Sequence, residues 1–221
     1  MTANDHRIYL SILNDMVSRF GWDRVLSLDL ETLIRNQEDF LTGEQIIACS
    51  VAYYSSAEST IRTEIFISSG EGSQFEDEVL LQLDAFVGGF KPLVIIGYNH
   101  TGYDIPLLRL KMVRRSYSRQ LWNLKYYLST AYCPDMMYII AGDLYERTGD
   151  YKTRKLSEVV IHQEYSNLPL MRTKSLAAVT GMPVNRAIED MWKKNTKDFR
   201  DYCKGDVHDI LVILMSLLGG I

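Results

Sequence analysis

The sequence predicts a mixed α/β fold, an antiparallel meander joined to parallel strands and flanked by helices, and three observations carry that expectation. Segments 25–30, 45–54 and 60–68 are rich in Ile, Val and Tyr and are separated by polar or glycine-containing turns, the pattern of a meander. A fourth segment, Leu93-Val94-Ile95-Ile96, is apolar throughout, as strands covered on both faces are. Stretches of helical periodicity lie around all four.

Taken in order, residues 5–22 place Ile8, Ile12, Leu13, Met16 and Phe20 near 3.6-residue spacing, with Gly21 closing a helix whose role is to cover the core. After the meander, residues 74–89 put Phe75, Val79, Leu80, Leu83 and Phe86 on one helical face and end at Gly88-Gly89. The loop from Gly97 to Pro106 then leads into a helix over about 105–115, with Pro106 in the first turn, where a missing N–H costs nothing. Residues 131–145 read as a short strand and a helix opened by Pro134-Asp135. The polar stretch 146–155 reads as a hairpin or loop, and 156–161 and 175–179 as short helices, the second ended by Gly181 and Pro183. A last helix, 196–218, buries the stripe Val207, Ile210, Leu211, Leu214 and Leu218.

At 221 residues, 47% hydrophobic and 24% charged, the chain is long enough for one well-filled core of an ordinary globular protein. No apolar run is long enough to span a bilayer, and the N-terminus lacks the apolar core of a signal peptide, so an intracellular protein that does not engage membranes is expected. The three cysteines, Cys49, Cys133 and Cys203, are far apart and lack C-x-x-C spacing, which speaks against zinc or a disulfide framework and for buried free thiols. Charge is divided unevenly. Residues 1–104 hold 16 acidic and 6 basic side chains, a balance of −10, and residues 105–221 hold 12 and 18, a balance of +6. Between Ile105 and Pro134 there is no Asp or Glu, whereas Arg109, Lys111, Arg114, Arg115, Arg119 and Lys125 alternate with Tyr117, Trp122, Tyr126 and Tyr127. Cations among stacking rings make a single-stranded nucleic-acid surface; a solvated basic helix with its rings turned into the core is the other reading.

Three motifs carry chemistry. Asp29 and Glu31, two apart in the strand-like Val25–Leu30 and its continuation, project to one face, where two carboxylates can share a hard divalent cation. Asp104 stands at the start of a helix, where it serves either as a cap or as a ligand. Tyr202 and Asp206, four apart in the last helix, are stacked one turn apart. Asp135 and Asp209 are read as a cap and a helix-surface carboxylate.

In this order the motifs resemble the DEDD (DnaQ-like) 3′-5′ exonucleases, which have the ribonuclease H-like fold. The resemblance rests on Leu28-Asp29-Leu30-Glu31-Thr32, on Gly97-Tyr98-Asn99 through Tyr103-Asp104, and on Tyr202-Cys203-Lys204-Gly205-Asp206. Tyrosine at the head of the last motif is similar to the DEDDy subgroup, in particular to proofreading domains of family B DNA polymerases and their stand-alone relatives. Residues 173–183 are similar to the connecting helix these proteins carry before that motif. The likeness covers roughly residues 24–218, so an N-terminal helical extension over 1–23 and an exonuclease domain over 24–221 are expected.

The resemblance implies two divalent cations, Mg²⁺ or Mn²⁺, held by Asp29, Glu31, Asp104 and Asp206, with Asp29 bridging both and Asp104 on the second, and Tyr202 positioning the attacking water. It places Leu30, Thr32, Asn99 and Tyr103 at the substrate end. The expected substrate is single-stranded DNA or an unpaired 3′ end, DNA favoured over RNA, with release of nucleoside 5′-monophosphates. Exoribonuclease activity and a non-catalytic nucleic-acid-binding module are the alternatives. Replication or repair proteins are the expected partners, with any proofreading in trans, since no polymerase domain follows Ile221 in this sequence.

Overall fold

β1 (Val25–Ile34) is the inner strand on which the molecule is organised. In the computed structural model, which describes residues 5–34, 43–68, 75–114, 120–150, 152–153, 155–172, 184–194 and 196–220, it pairs antiparallel with β2 (Glu44–Ser55), and β2 with β3 (Thr60–Ile67). On its other side it pairs in parallel with β4 (Val94–Ile96), giving the order β3-β2-β1-β4. Isolated parallel bridges Val94–Tyr132 and Gly97–Asp135 add a rudimentary fifth strand beside β4. This mixed sheet between helices is the expected fold class and is compatible with a ribonuclease H-like fold.

Helices cover both faces. α1 (Asp5–Phe20), α5 (Met136–Thr148) and α8 (Lys197–Leu217) lie on one. On the other are α2 (Phe75–Phe90), α3 (Asp104–Arg114) and α4 (Trp122–Thr130). The alternation of β1 decides which side chain goes where. Leu26, Leu28 and Leu30 enter the core beneath α2, α3 and α4. Val25 and Leu33 turn to the face of α8, as Ser27, Asp29 and Glu31 must. The register shift opposite Glu31 and Thr32 leaves Ile47 of β2 as the extra residue, so the alternation of β1 itself is undisturbed.

Several expectations are corrected. The basic tract does contain a helix, α4, although no bounds are assigned to it from the sequence; it forms because Leu121, Leu124 and Leu128 recur at i, i+3 and i+7 and all enter the core, while Trp122 and Tyr126 face out. Of the hairpin or loop read at 146–155, the first three residues belong to α5, which runs to Thr148 and stops at Gly149, whose φ of 75° is the left-handed cap conformation, and the described residues from there to 153 form no strand. α7 (Val184–Lys193), which the sequence reading does not include, buries Ala187, Ile188 and Met191. The short helix foreseen at 156–161 is one turn, α6 (Leu156–Val159). The helix foreseen at 175–179 lies outside the described residues. α1 packs on α5, with Leu13 fully buried, and a Cβ on Gly142 would come within 2.5 Å of the His6 ring. Among the described residues no helix is long and apolar enough to cross a membrane.

Candidate active site

Along β1 the face turned to α8 is polar from Ser27 through Asp29 to Glu31, and along α8 the buried stripe is interrupted at Asp206. Phe199 and Cys203 pack with Leu33 at one end, and Val207, Ile210 and Leu214 pack with Val25 at the other. The polar stretch and the interruption therefore meet. Ligand oxygens of Asp29, Glu31 and Asp206 all lie within 4.8 Å of one another.

Asp104 arrives by a different route. β4 pairs with β1 only as far as Ser27, so the strand edge beyond is open on that side, and an unpaired backbone N–H there would be costly. Asp104, at the head of α3, fills the gap: Leu30 N–H donates to its Oδ1 at 3.2 Å. Asp104 is outside the 4.8 Å group yet close enough that its charge pushes up both Asp29 and Glu31. The seam where two strands separate at the end of a parallel pair is where crevices of α/β sheets form. Here a narrow crevice is lined by Asp29, Gly97, Tyr98, Leu156, Asp206 and Ile210. A wider depression between Thr148 and Glu164 contains none of these carboxylates.

The electrostatics are those of anions gathered without a countercharge. Glu31 is pushed well above the ordinary carboxylate range by burial, then by Asp29, Asp206 and Asp104. Asp29 is raised by burial and by Asp104, and Asp206 by burial, Asp29 and Asp209. Burial also pushes Asp104 up to about 7, against the opposing pull of the Leu30 and Asp104 N–H groups. The Tyr202 phenol is raised, first by Glu31 and then by burial, so it stays protonated, and it hydrogen-bonds to Asp206. Among the described residues no Lys or Arg is ion-paired with Asp29, Glu31 or Asp206. Close carboxylates with raised proton affinity, oxygen donors only and no basic partner fit a hard cation. Cys49 and Cys203 are buried beside them, their thiols pushed up by burial, which makes them unreactive.

Other residues singled out from the sequence are placed as follows. Leu30 is buried in the core, and its N–H is occupied by Asp104. Thr32 Oγ1 lies 2.7 Å from the Tyr103 hydroxyl and donates to Glu44 Oε2 at 3.0 Å. Asn99 is exposed and adopts φ 59°, a left-handed conformation that asparagine tolerates better than most residues. Lys111 does not belong to a nucleic-acid surface: it is only 7% exposed, pairs with Glu76 at 2.8 Å and donates to the Glu44 carbonyl. Arg109 is exposed but commits one guanidinium nitrogen to the Leu128 carbonyl. Trp122 and Lys125 are exposed on α4. Arg115 and Arg119 lie outside the described residues, as does the side chain of Arg114.

Two carboxylates outside the motifs prove to hold the site together. Asp135 caps α5 through Met137 N–H and also accepts from Asn99 N–H (2.8 Å), Thr101 N–H (3.1 Å) and the Thr101 hydroxyl (2.7 Å). It thereby staples the loop that leads to Asp104. Asp209 is not a helix-surface residue. It is 2% exposed and accepts from Met171 N–H at 2.7 Å and Arg172 N–H at 3.0 Å, tying that segment to α8 three residues beyond Asp206. Gly97 supplies a close approach: a Cβ there would lie 2.6 Å from the Leu28 carbonyl oxygen.

No protein-family model and no curated protein matches this chain. Among solved structures it is similar to the family B DNA polymerase from the hyperthermophilic archaeon Pyrobaculum calidifontis, at 18% identity and a TM-score of 0.49. The match covers 87% of this chain and 24% of that one, so the chain spans under a third of the polymerase's length. The chemistry of the site rests on the carboxylates and not on that similarity.

Proposed function

We propose that this protein is a metal-dependent 3′-5′ exonuclease of the DEDDy type, hydrolysing phosphodiesters at 3′ ends, single-stranded DNA foremost, and releasing nucleoside 5′-monophosphates. The observation that carries this reading is the meeting of Asp29, Glu31 and Asp206 within 4.8 Å, with Tyr202 hydrogen-bonded to Asp206 beside them. The order of the motifs in the chain, with its resemblance to the DEDD exonucleases, supports it.

Asp29, Glu31 and Asp206 would hold one divalent cation, and Asp104, with Asp29, a second. When bound, such a pair lowers the pKa of water and stabilises the leaving oxygen of an in-line displacement. The chain's own residues do the rest. Tyr202, protonated at any physiological pH, orients the attacking water and takes no proton from it. The carboxylates, which repel phosphate when no cation is present, make productive binding depend on metal. Leu156 and Ile210 wall the crevice with apolar surface and limit the approach of bulk water. By the resemblance, the backbones of Leu30 and Thr32 would lie near the terminal nucleotide, with Asn99 and Tyr103 as substrate contacts; Thr32 and Tyr103 are joined through their hydroxyls.

A 5′-labelled oligonucleotide digest in Mg²⁺ or Mn²⁺, run beside Asp29→Ala, Asp206→Ala and an EDTA control, tests the reading. The expected result is a stepwise ladder that disappears in all three controls. A ladder of undiminished intensity in either variant overturns the site, and tight binding with no cleavage by the parent favours a non-catalytic module. Parallel DNA and RNA substrates decide the sugar.

A further inference from the structure

We propose that the outer face of α4 binds single-stranded nucleic acid through Trp122 and Tyr126, in a helical layer other than the one that supplies Asp206. This rests on the reading of the protein as one that acts on nucleic acid, but not on its hydrolysing anything. Trp122 and Tyr126 are 66% and 60% exposed, at i and i+4, and so lie on one face about 6 Å apart along the helix axis. Large rings are normally spent on core burial, and α4 has its own core stripe in Leu121, Leu124 and Leu128. The two rings are surplus to packing. Tyr126 is held edge-on by the half-buried Tyr127, at 5.1 Å between ring centroids and 85° between planes, which fixes one platform before a base arrives.

Charge selects the occupant. Exposed Lys125 flanks the pair on the same helix, and Arg109, exposed on α3, donates to the Leu128 carbonyl at the far end of α4. Asp84 of α2, which bonds to the start of α4, is turned inward, accepting from Leu124 N–H at 2.7 Å and Asn123 Nδ2 at 3.0 Å, and is 7% exposed. With no Asp or Glu anywhere from 105 to 134, α4 brings π surfaces and a cation with no carboxylate of its own. Two rings set among Gln120, Ser129 and Thr130 make too small an apolar patch for a stable protein interface, which needs on the order of 1,000 Å² of total buried area. Stacking on successive bases needs no more than this.

The test is fluorescence anisotropy in EDTA, where hydrolysis is silent, with a labelled 16-nucleotide oligo-dT and a 4-nucleotide control. Trp122→Ala/Tyr126→Ala is expected to weaken the 16-mer about 10- to 100-fold, whereas Trp122→Phe stays within about threefold of the parent. Thermal melts of all variants should coincide, because both side chains are exposed. Unchanged 16-mer affinity in the double variant overturns the proposal, as does a homodimer, seen by light scattering in the parent, that dissociates in the variant while DNA binding persists. If the parent cleaves nothing in Mg²⁺ while 16-mer binding still depends on both rings, the exonuclease reading fails and this one stands.

Discussion

Replacing Glu31 by Gln should make the metal-free protein more stable and shrink the further stabilisation that metal supplies. Glu31 has two carboxylate neighbours, Asp29 and Asp206, with ligand oxygens within 4.8 Å. At an effective dielectric constant of about 20, each fully ionised pair at that distance repels by roughly 3.5 kcal/mol. Partial protonation relieves part of this, since burial and mutual repulsion hold all three carboxyls above their ordinary range. A gain of about 2–4 kcal/mol at pH 8 remains, which for a chain of this length is a rise in Tm of about 5–12 °C in EDTA. A carboxylate with a raised folded pKa binds more protons folded than unfolded, so its destabilising contribution is absent below the unfolded pKa and grows as pH climbs through the raised value. The metal-free parent should therefore melt highest near pH 5 and lose stability toward pH 8, and Glu31→Gln should flatten that slope. Mn²⁺ at a hundred times its dissociation constant should add about 2.7 kcal/mol to the parent and much less to the variant. Differential scanning fluorimetry across pH 5–8.5, with EDTA and with Mn²⁺, reads all of this. Equal or lower stability of the variant in EDTA at pH 8, with an undiminished Mn²⁺ shift, would refute the cage.

Asp135→Ala removes four accepted hydrogen bonds, one of them the helix cap, which should cost about 2–4 kcal/mol by denaturant melts and speed amide exchange over residues 97–104; melts unchanged within 0.5 kcal/mol would deny it the stapling role. Gly97→Ala must displace either the Leu28 carbonyl or the loop, so metal affinity measured by calorimetry should fall at least tenfold, beyond any loss of stability; intact affinity would show that the loop yields instead. Gly142→Ala should push α1 off α5 through the His6 ring, lowering Tm while leaving the Mn²⁺ increment intact, and an equal loss of both would place α1 nearer the site than its packing implies.

What was legible in the sequence was whatever depends on local period. The two-residue spacing of Asp29 and Glu31 and the four-residue spacing of Tyr202 and Asp206 each fix a face, and the structure keeps both faces. Groups whose partners lie far along the chain were not legible. Lys111 reads as one more cation in a basic tract, because nothing nearby announces that Glu76, 35 residues earlier, draws it into the core. Asp209 has the spacing of a surface residue on α8, and only the approach of Met171 and Arg172 makes it a buried acceptor. Asp135 was half legible. Its cap on α5 is local, whereas its hold on Asn99 and Thr101 spans more than thirty residues.

The position of the carboxylates follows from where the sheet stops pairing. β4 leaves β1 after Ser27, and from that point β1 has an antiparallel partner on one side only. The next residues on the α8 face are Asp29 and Glu31, and the first unpaired N–H taken up from the open side, that of Leu30, is taken by Asp104. The break in the ladder thus does two things at once: it opens a crevice beside two strand carboxylates, and it leaves a donor that pins a third from another helix. Asp206 comes from the opposite layer and has no such backbone anchor among the described residues, only the Tyr202 hydroxyl one turn away. Tyr202→Phe should therefore loosen Asp206 while leaving the position of Asp104 untouched. Metal affinity should fall modestly, about three- to tenfold, whereas turnover, which also loses the water-orienting hydroxyl, should fall by a hundredfold or more. Equal losses in the two would mean that the phenol serves the carboxylate alone.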